Sequence, residues 1–233
     1  MIELRGVCFG YTSPAEVLDD VSLVLEPGLT LLLGPNGCGK STLLKIAAGV
    51  EKPRRGVARV GGHDLWQEEV SARRELAYLP EHPDLTPYAS VRDVLALVCG
   101  LRGEPPERAE AALEWVGLQG LGGRTIRELS KGQRRRATLA AARIGHPGCL
   151  LLDEPLEGMD RVSRHRLVGW VRERLDAGAL ALVVTQEFEA LAPLATRALT
   201  VRRRRCEIVE PLPPIGPERD AVLERLARGD AAG

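Results

Sequence analysis

The sequence has no excess of charge of either sign, because its 32 lysines and arginines balance 32 aspartates and glutamates. Domains that bind nucleic acid are usually strongly basic, so we expect no nucleic-acid partner. The sequence also lacks a run of about 18 apolar residues, the length that a membrane-spanning helix needs. The N-terminus alternates apolar and polar residues from Met1 to Val7 and lacks a signal-peptide pattern. These absences predict a cytoplasmic protein that does not cross a bilayer.

Cysteine is sparse and unpatterned. The five cysteines are odd in number, and none occurs in a C-x-x-C spacing. The four histidines likewise show no spacing typical of metal ligands. We therefore expect free thiols, and no metal site built from cysteine or histidine. The cysteines are Cys8, Cys38, Cys99, Cys149 and Cys206.

Two kinds of apolar pattern indicate β-strands. Ile2–Val7 and Val21–Leu25 alternate apolar with polar or small residues, as half-buried antiparallel strands do. Leu29–Leu33, Cys149–Leu152 and Leu180–Thr185 are nearly continuous apolar runs, which are typical of strands buried on both faces. Helical patterns separate the buried runs. The sequence therefore predicts an α/β fold with a mostly parallel sheet covered by helices.

The stretch from Pro83 to Pro147 differs in texture, because helical segments alternate with prolines and glycines. Pro105 and Pro106 precede a helix predicted over Glu107–Val116, a favoured position for proline. We expect a core formed by residues 1–82 and 148–210 and a helical subdomain inserted at about 83–147. Residues 211–233 are expected to form a short, loosely held C-terminal tail.

A glycine-rich loop follows the first buried run and fits the pattern G-x-x-x-x-G-K-[ST]. The glycines let consecutive backbone N–H groups turn toward a phosphate, and the following helix start adds a positive field. Lys40 can reach the β- and γ-phosphates, and the Ser41 hydroxyl can ligate Mg²⁺. The alternative is an ordinary glycine-rich turn. The predicted nucleotide-binding residues are Gly34, Pro35, Asn36, Gly37, Cys38, Gly39, Lys40, Ser41 and Thr42.

A second buried strand ends in two acids, Asp153 and Glu154. Asp153 suits a contribution to Mg²⁺ binding, and Glu154 then faces the attacking water as general base. Acids at a strand end are common by themselves, so this prediction depends on the phosphate loop upstream.

Residues 129–133 read L-S-K-G-Q and lie about twenty residues before the acidic pair. This segment resembles the signature motif of ABC ATPases, L-S-G-G-Q, and the resemblance covers about Ile2 to Val209. It implies a P-loop NTPase with a RecA-like core, an N-terminal antiparallel β subdomain and an inserted α-helical subdomain. It also implies ATP and Mg²⁺ as cofactors, and ATP hydrolysis as the activity. The alternative is a Ser-capped helix that merely begins after a loop.

The resemblance implies that one chain does not complete its own site. Ser130, Gly132 and Gln133 would contact the γ-phosphate held by a second ABC ATPase subunit, in a homodimer or a heterodimer. The dimer would drive a separate transmembrane permease from the inner face of the cell membrane. Tyr11 resembles the aromatic residue that stacks on adenine, although it could instead be a core residue. Asp160 resembles the residue that couples the two sites across the dimer.

Two positions depart from the family pattern. Glu81 replaces the usual glutamine, and its carboxylate can still ligate Mg²⁺. Residues Tyr78 to Glu81 are similar to a branch of export-type ABC ATPases. Gln186 replaces the switch histidine, and its amide carries no charge at any pH. The loss of a charge-assisted contact costs about 1.5–3 kcal/mol, or about 10- to 150-fold in rate, so we expect slow hydrolysis.

Two surface segments complete the sequence-based expectations. By resemblance, His82–Arg102 is where a helix of the permease would dock. The alternative is subdomain core, and we expect only the loop Pro83–Tyr88 to be exposed for docking. Arg202–Arg205 is the one local basic run, which predicts a solvated hairpin or, alternatively, contact with anionic lipid. Two other functions stay open: a low-turnover, ATP-gated regulatory module, and a soluble ABC protein outside transport.

Overall fold

The computed structural model describes residues 1–82 and 85–230. The strands are β1 (Ile2–Phe9), β2 (Leu18–Leu25), β3 (Gly28–Leu33), β4 (Arg55–Val60), β5 (His63–Asp64), β6 (Leu76–Leu79), β7 (Cys149–Asp153), β8 (Leu180–Val184), β9 (Ala195–Arg202) and β10 (Arg205–Val209). The helices are α1 (Lys40–Ala47), α2 (Glu69–Arg74), α3 (Val91–Arg102), α4 (Glu107–Trp115), α5 (Lys131–Arg143), α6 (Arg161–Asp176) and α7 (Pro217–Arg228). In the described part of the chain, none of these helices has the length and apolar character required to cross a membrane.

An antiparallel sheet forms from the N-terminal strands in the order β2-β1-β4-β5. Ile2 lies opposite Leu25 on one side and Val60 on the other. The alternation seen in the sequence matches the burial of β2, where every second side chain from Val21 to Leu25 is buried. The antiparallel pairing of both strands and the half-burial of β2 are therefore confirmed, whereas β1 is buried on both faces over most of its length, because it lies between β2 and β4.

A six-stranded sheet forms the centre of the molecule in the order β10-β9-β3-β8-β7-β6. Only β10 is antiparallel to its neighbour, and the other pairs are parallel. Successive side chains point to opposite faces, so Leu31 and Leu150 pack into one apolar cluster while Leu32 and Leu151 pack into the other. The apolar runs of the sequence are continuous because the side chains on both faces of these strands are buried.

The helices α3, α4 and α5 lie between β6 and β7 in the chain and share the apolar cluster on one face of the central sheet. The α3 helix begins at Ser90, whose side chain accepts a hydrogen bond from the Asp93 N–H, and ends at Gly103. Trp115 meets Trp170 of α6 edge to face at 6.3 Å between ring centroids.

The segment expected to be a loose tail is instead packed on the core over its described part, residues 211–230. Leu223 and Leu226 of α7 are completely buried and join the cluster that contains Leu29 and Leu31. Arg219 is also buried, and it donates hydrogen bonds to the carbonyls of Pro213, Ala192 and Ala195. The expectation was wrong because the apolar face of α7 is short, and prolines and charged residues make up much of the sequence around it.

The run Arg202–Arg205 spans the turn between β9 and β10, which consists of Arg203 and Arg204. Arg203 and Arg204 have positive φ angles of 47° and 67°, and both side chains are exposed. The predicted hairpin with an exposed turn is confirmed, and the alternative of contact with anionic lipid stays a prediction.

Candidate nucleotide site

The phosphate loop joins β3 to α1 and depends on glycine at three positions. Gly34, Gly37 and Gly39 have φ angles of 141°, 78° and 112°, which L side chains rarely adopt. A Cβ at Gly34 would lie 3.2 Å from the Cys38 Sγ, and one at Gly39 would lie 3.2 Å from Val17. The loop therefore needs glycine for its conformation and for close packing at both ends.

Lys40 points back into this loop. Its side chain is buried, and the ammonium group donates to the carbonyls of Gly34 at 2.7 Å and Pro35 at 2.9 Å. These neutral acceptors compensate a buried cation only in part, so the loop favours an anion beside it. The next residue, Ser41, donates its hydroxyl to Asp153 Oδ1 at 3.3 Å.

Parallel pairing brings the acidic pair to the phosphate loop, because β3 and β7 both flank β8 and end at the same edge. Burial raises the pKa of Asp153, while the Ser41 hydroxyl acts in the opposite direction. Burial also raises the pKa of Glu154, and the backbone N–H of Gln186 partly offsets it. Glu154 has a positive φ of 44°, a strained conformation that is characteristic of active sites.

Gln186 bridges the two halves of this arrangement. Its backbone N–H donates to Glu154 Oε2 at 3.1 Å. Its side-chain amide donates to Asn36 Oδ1 at 2.7 Å, which ties the residue to the phosphate loop. The residue in the switch position is thus within hydrogen-bond distance of both the acidic pair and the phosphate loop.

A cavity of about 630 Å³ brings most of the predicted site residues together. Tyr11 stands at its rim with 57% of its surface exposed, packed edge to face on Phe9 at 5.0 Å. The Tyr11 hydroxyl lies 3.3 Å from Thr42 Oγ1. The predicted residues that line the cavity are Tyr11, Asn36, Gly37, Gly39, Lys40, Ser41, Thr42, Glu81, Glu154 and Gln186.

The signature residues do not line this cavity. Ser130 is exposed at the start of α5, where its hydroxyl accepts from the Gln133 N–H at 3.2 Å and the Gln133 side chain accepts from the Ser130 N–H at 2.9 Å. Gly132 is exposed in the same turn. Asp160 starts α6 in a similar way, accepting from the Ser163 N–H, and this bond lowers its pKa. Within one chain, these residues act as helix caps.

The residues predicted to hold Mg²⁺ suit that ion. Ser41 and Glu81 line the cavity, and Asp153 is in hydrogen-bond contact with Ser41. A hydroxyl and two carboxylates are hard oxygen donors, the type that Mg²⁺ prefers.

Arg135 is a residue that sequence reasoning missed. It is buried on α5 and donates to the backbone carbonyls of Glu81, Asp153 and Glu154. The helix that begins at Ser130 is thereby attached to both acidic elements of the site. The sequence did carry a signal for the burial of Arg135, because this residue lies four positions before Leu139 and so shares the apolar face of α5.

The family can now be established. The profile of the family described as "ABC transporter" matches residues 18–157. The chain belongs to the ABC transporter family. The ABC ATPase fold and P-loop core predicted from the signature resemblance are confirmed.

Two curated members of the ABC family are similar along most of this chain. The Fe(3+) ions import ATP-binding protein FbpC of Agrobacterium fabrum is 37% identical over 191 residues, which are 79% of this chain and 54% of that protein. The sulfate/thiosulfate import ATP-binding protein CysA of Synechocystis sp. is 35% identical over 198 residues, 82% of this chain and 56% of that protein. The chain spans just over half the length of these relatives.

Two solved structures agree with this assignment to the ABC family. An ATP-binding subunit of an ABC transporter superposes with a TM-score of 0.82 at 26% identity and covers 90% of each chain. A dimeric ATP-binding cassette, in a post-hydrolysis state with ADP and Pi, superposes with a TM-score of 0.79. The latter is 20% identical, covers 90% of this chain and 98% of that one, and shows likeness of fold alone.

The export-type resemblance at Tyr78 to Glu81 is not supported by these comparisons. The relatives described above match about four fifths of this chain, and both are named as import proteins. The four residues Tyr78–Glu81, which span the end of β6 and the start of the following loop, were too short a segment to indicate the branch of the family.

Proposed function

We propose that this chain is the ATP-binding and ATP-hydrolysing subunit of an ABC transporter. In this proposal two such subunits close around ATP and drive a separate transmembrane permease. One observation carries the proposal: a single cavity brings Lys40, Ser41 and Glu154 together, while the signature residue Ser130 stands exposed outside it. The site has the arrangement expected when a second subunit covers the terminal phosphate.

Within one subunit, the loop binds the phosphates and Lys40 exchanges its two carbonyl acceptors for β- and γ-phosphate oxygens. Ser41, Asp153 and Glu81 would hold Mg²⁺, which neutralises phosphate charge when bound. Glu154 takes the proton of the attacking water, and Gln186 donates a hydrogen bond beside it. Tyr11 stacks on the adenine at the rim.

Between subunits, Ser130 and its helix start would meet the γ-phosphate. The Ser130 hydroxyl accepts a bond from Gln133, but its own O–H proton is left to donate. The first-turn N–H groups of a helix also have no intrahelical acceptor, so Gly132 can contribute its N–H. We propose that Gln133 assists this contact and that Asp160 couples the two sites.

A groove of about 260 Å³ suits the permease contact. It lies where β6 meets α3 and α5, and its lining includes Tyr78, Pro80, Leu85 and Val98. Tyr88 is 74% exposed, while Leu95 is fully buried in the core. Pro83, part of the expected docking loop, lies outside the described residues.

This contact would place the chain on the inner face of the cell membrane. Because the relatives are named as import proteins, import is the direction we propose for the permease. In this proposal the permease, and not this chain, selects the transported substrate.

A second candidate is a regulatory module that binds ATP and hardly hydrolyses it. The neutral Gln186 in the switch position favours it. ATP affinity and turnover, each measured with and without the permease, separate the two: a transporter motor gains turnover with its permease, whereas a regulatory module does not.

The test of the proposal is ATP-dependent dimerisation of the Glu154→Gln variant, which binds ATP but lacks the general base. With ATP and Mg²⁺ we expect a dimer by light scattering, and turnover lower than that of the unaltered chain by about 100- to 10,000-fold. The control is Lys40→Ala in the same background, which should stay monomeric. A Glu154→Gln chain that remains monomeric even with its natural assembly partner contradicts the proposal.

A further inference from the structure

The C-terminal end of α7 touches the phosphate loop. Gly229, the residue after α7, has a φ of 88° and faces the ring of Pro35. A Cβ at Gly229 would lie 2.8 Å from Pro35 Cδ and 3.0 Å from Pro35 Cγ. Real Cβ contacts are essentially never so short, so only glycine fits this contact without a shift of the loop or of the helix end.

The helix side of the contact is firmly held. Leu223 and Leu226 are fully buried, and the buried Arg219 caps three carbonyls of the core. The end of α7 is closed by hydrogen bonds from the Gly229 and Asp230 N–H groups to carbonyls of the last turn. A displacement at Gly229 is therefore resisted by the packing of the whole helix.

The loop side of the contact bears on the nucleotide site. Pro35 is the residue whose carbonyl accepts the Lys40 ammonium at 2.9 Å. The proline ring is bonded to its own backbone nitrogen, so it cannot turn aside as a flexible side chain would. A push on Cδ consequently moves the backbone that holds Lys40.

We propose that Gly229 is a positioning residue for the phosphate loop, through which α7 sets the position of Pro35 and Lys40. The inference rests on the proposed function, since it assumes that this loop binds ATP. It assigns a role in nucleotide affinity to a segment that lies beyond the family match and that the sequence suggested was loose.

The test compares Gly229→Ala with Gly103→Ala. Gly103 ends α3 with a similar φ of 71° and the same pattern of cap hydrogen bonds, but a Cβ there meets none of the described residues within 4 Å. Both variants should lose the stability that a positive φ costs alanine, and Gly229→Ala should lose more because its Cβ also meets Pro35. Calorimetric titration should show ATP binding weakened about 3- to 10-fold in Gly229→Ala and unchanged in Gly103→Ala.

The Pro35→Ala background makes the test independent of folding. Alanine removes the Cγ and Cδ atoms that meet position 229. Gly229→Ala should therefore cause no further loss of ATP affinity there. Equal ATP affinity of Gly229→Ala and Gly103→Ala, or the same loss with and without Pro35, overturns the inference. Failure of the unaltered chain to bind ATP would instead contradict the proposed function.

Discussion

Two regions carry the motifs of this family: the strand ends of the central sheet, and the start of α5. They differ in how far contacts within the chain hold their side chains in place. At the strand ends, Lys40, Asp153 and Glu154 are at least half-buried and held by contacts within the chain. At the start of α5, Ser130 and Gly132 face solvent. The first region is already organised within one chain, whereas the second region exposes its hydrogen-bond donors to solvent, as the proposed contact with a second subunit requires.

This difference shows why a helix cap and a ligand contact are compatible in one residue. The Ser130 hydroxyl accepts a bond from the Gln133 N–H, and its O–H proton is still able to donate. The cap holds the Ser130 side chain at the helix start, much as the carbonyls of Gly34 and Pro35 hold Lys40 in place. Buried Arg135 joins the two regions, because it lies on α5 and binds the carbonyls of the acidic pair.

The largest change should come from Gln186→His, which completes the strand-end region. A histidine there can carry a positive charge near the γ-phosphate, which the amide cannot. We expect ATP turnover to rise about 10- to 150-fold with little change in ATP affinity. Steady-state phosphate release by the purified chain measures the turnover.

Gln186→Ala is the matched control, because it removes the bond to Asn36 without adding charge. Its turnover should fall or stay the same. If alanine raised turnover as much as histidine, the bond to Asn36 would be restraining the site, and the missing charge would not explain slow hydrolysis.

A smaller effect should separate the two roles of Ser130. Ser130 caps α5 and Ser90 caps α3, so Ser130→Ala and Ser90→Ala should each cost about 1 kcal/mol of stability. Only Ser130→Ala should also lower turnover, by about tenfold, because only Ser130 is expected to donate to the phosphate of the second subunit. Thermal denaturation and turnover, measured together, test the pair. Equal turnover in the two variants would leave Ser130 with a capping role alone.

Much of the fold could be predicted because local patterns determine it. The buried runs at β3, β7 and β8 are long enough, and sufficiently rich in leucine and valine, to identify strands covered on both faces. The α7 helix could not be predicted in the same way. Its two buried leucines are separated by charged residues, and only the surface offered by β3 shows that they face a core.

The residues of the site that belong to sequence motifs could be predicted, whereas the contacts between distant segments could not. Lys40, Ser41 and Glu154 follow from motif spacing, since the phosphate loop and the acidic pair each follow the carboxyl end of a parallel strand and so lie at the same edge of the sheet. The contact of Gly229 with Pro35 and the bond of Gln186 to Asn36 join positions far apart in sequence. Such pairs depend on the exact packing of loops, which no local pattern records.

The smallest effect concerns Tyr11, at the rim of the cavity that the chain forms by itself. Tyr11→Ala removes the proposed stacking on adenine and should weaken ATP binding about fivefold, near the lower limit for such contacts because the ring is largely exposed. Tyr11→Phe keeps the ring and loses only the hydroxyl near Thr42, so its affinity should be nearly unchanged. If Tyr11→Ala lowered the melting temperature but left ATP affinity intact, the ring would serve to pack Phe9 rather than the nucleotide.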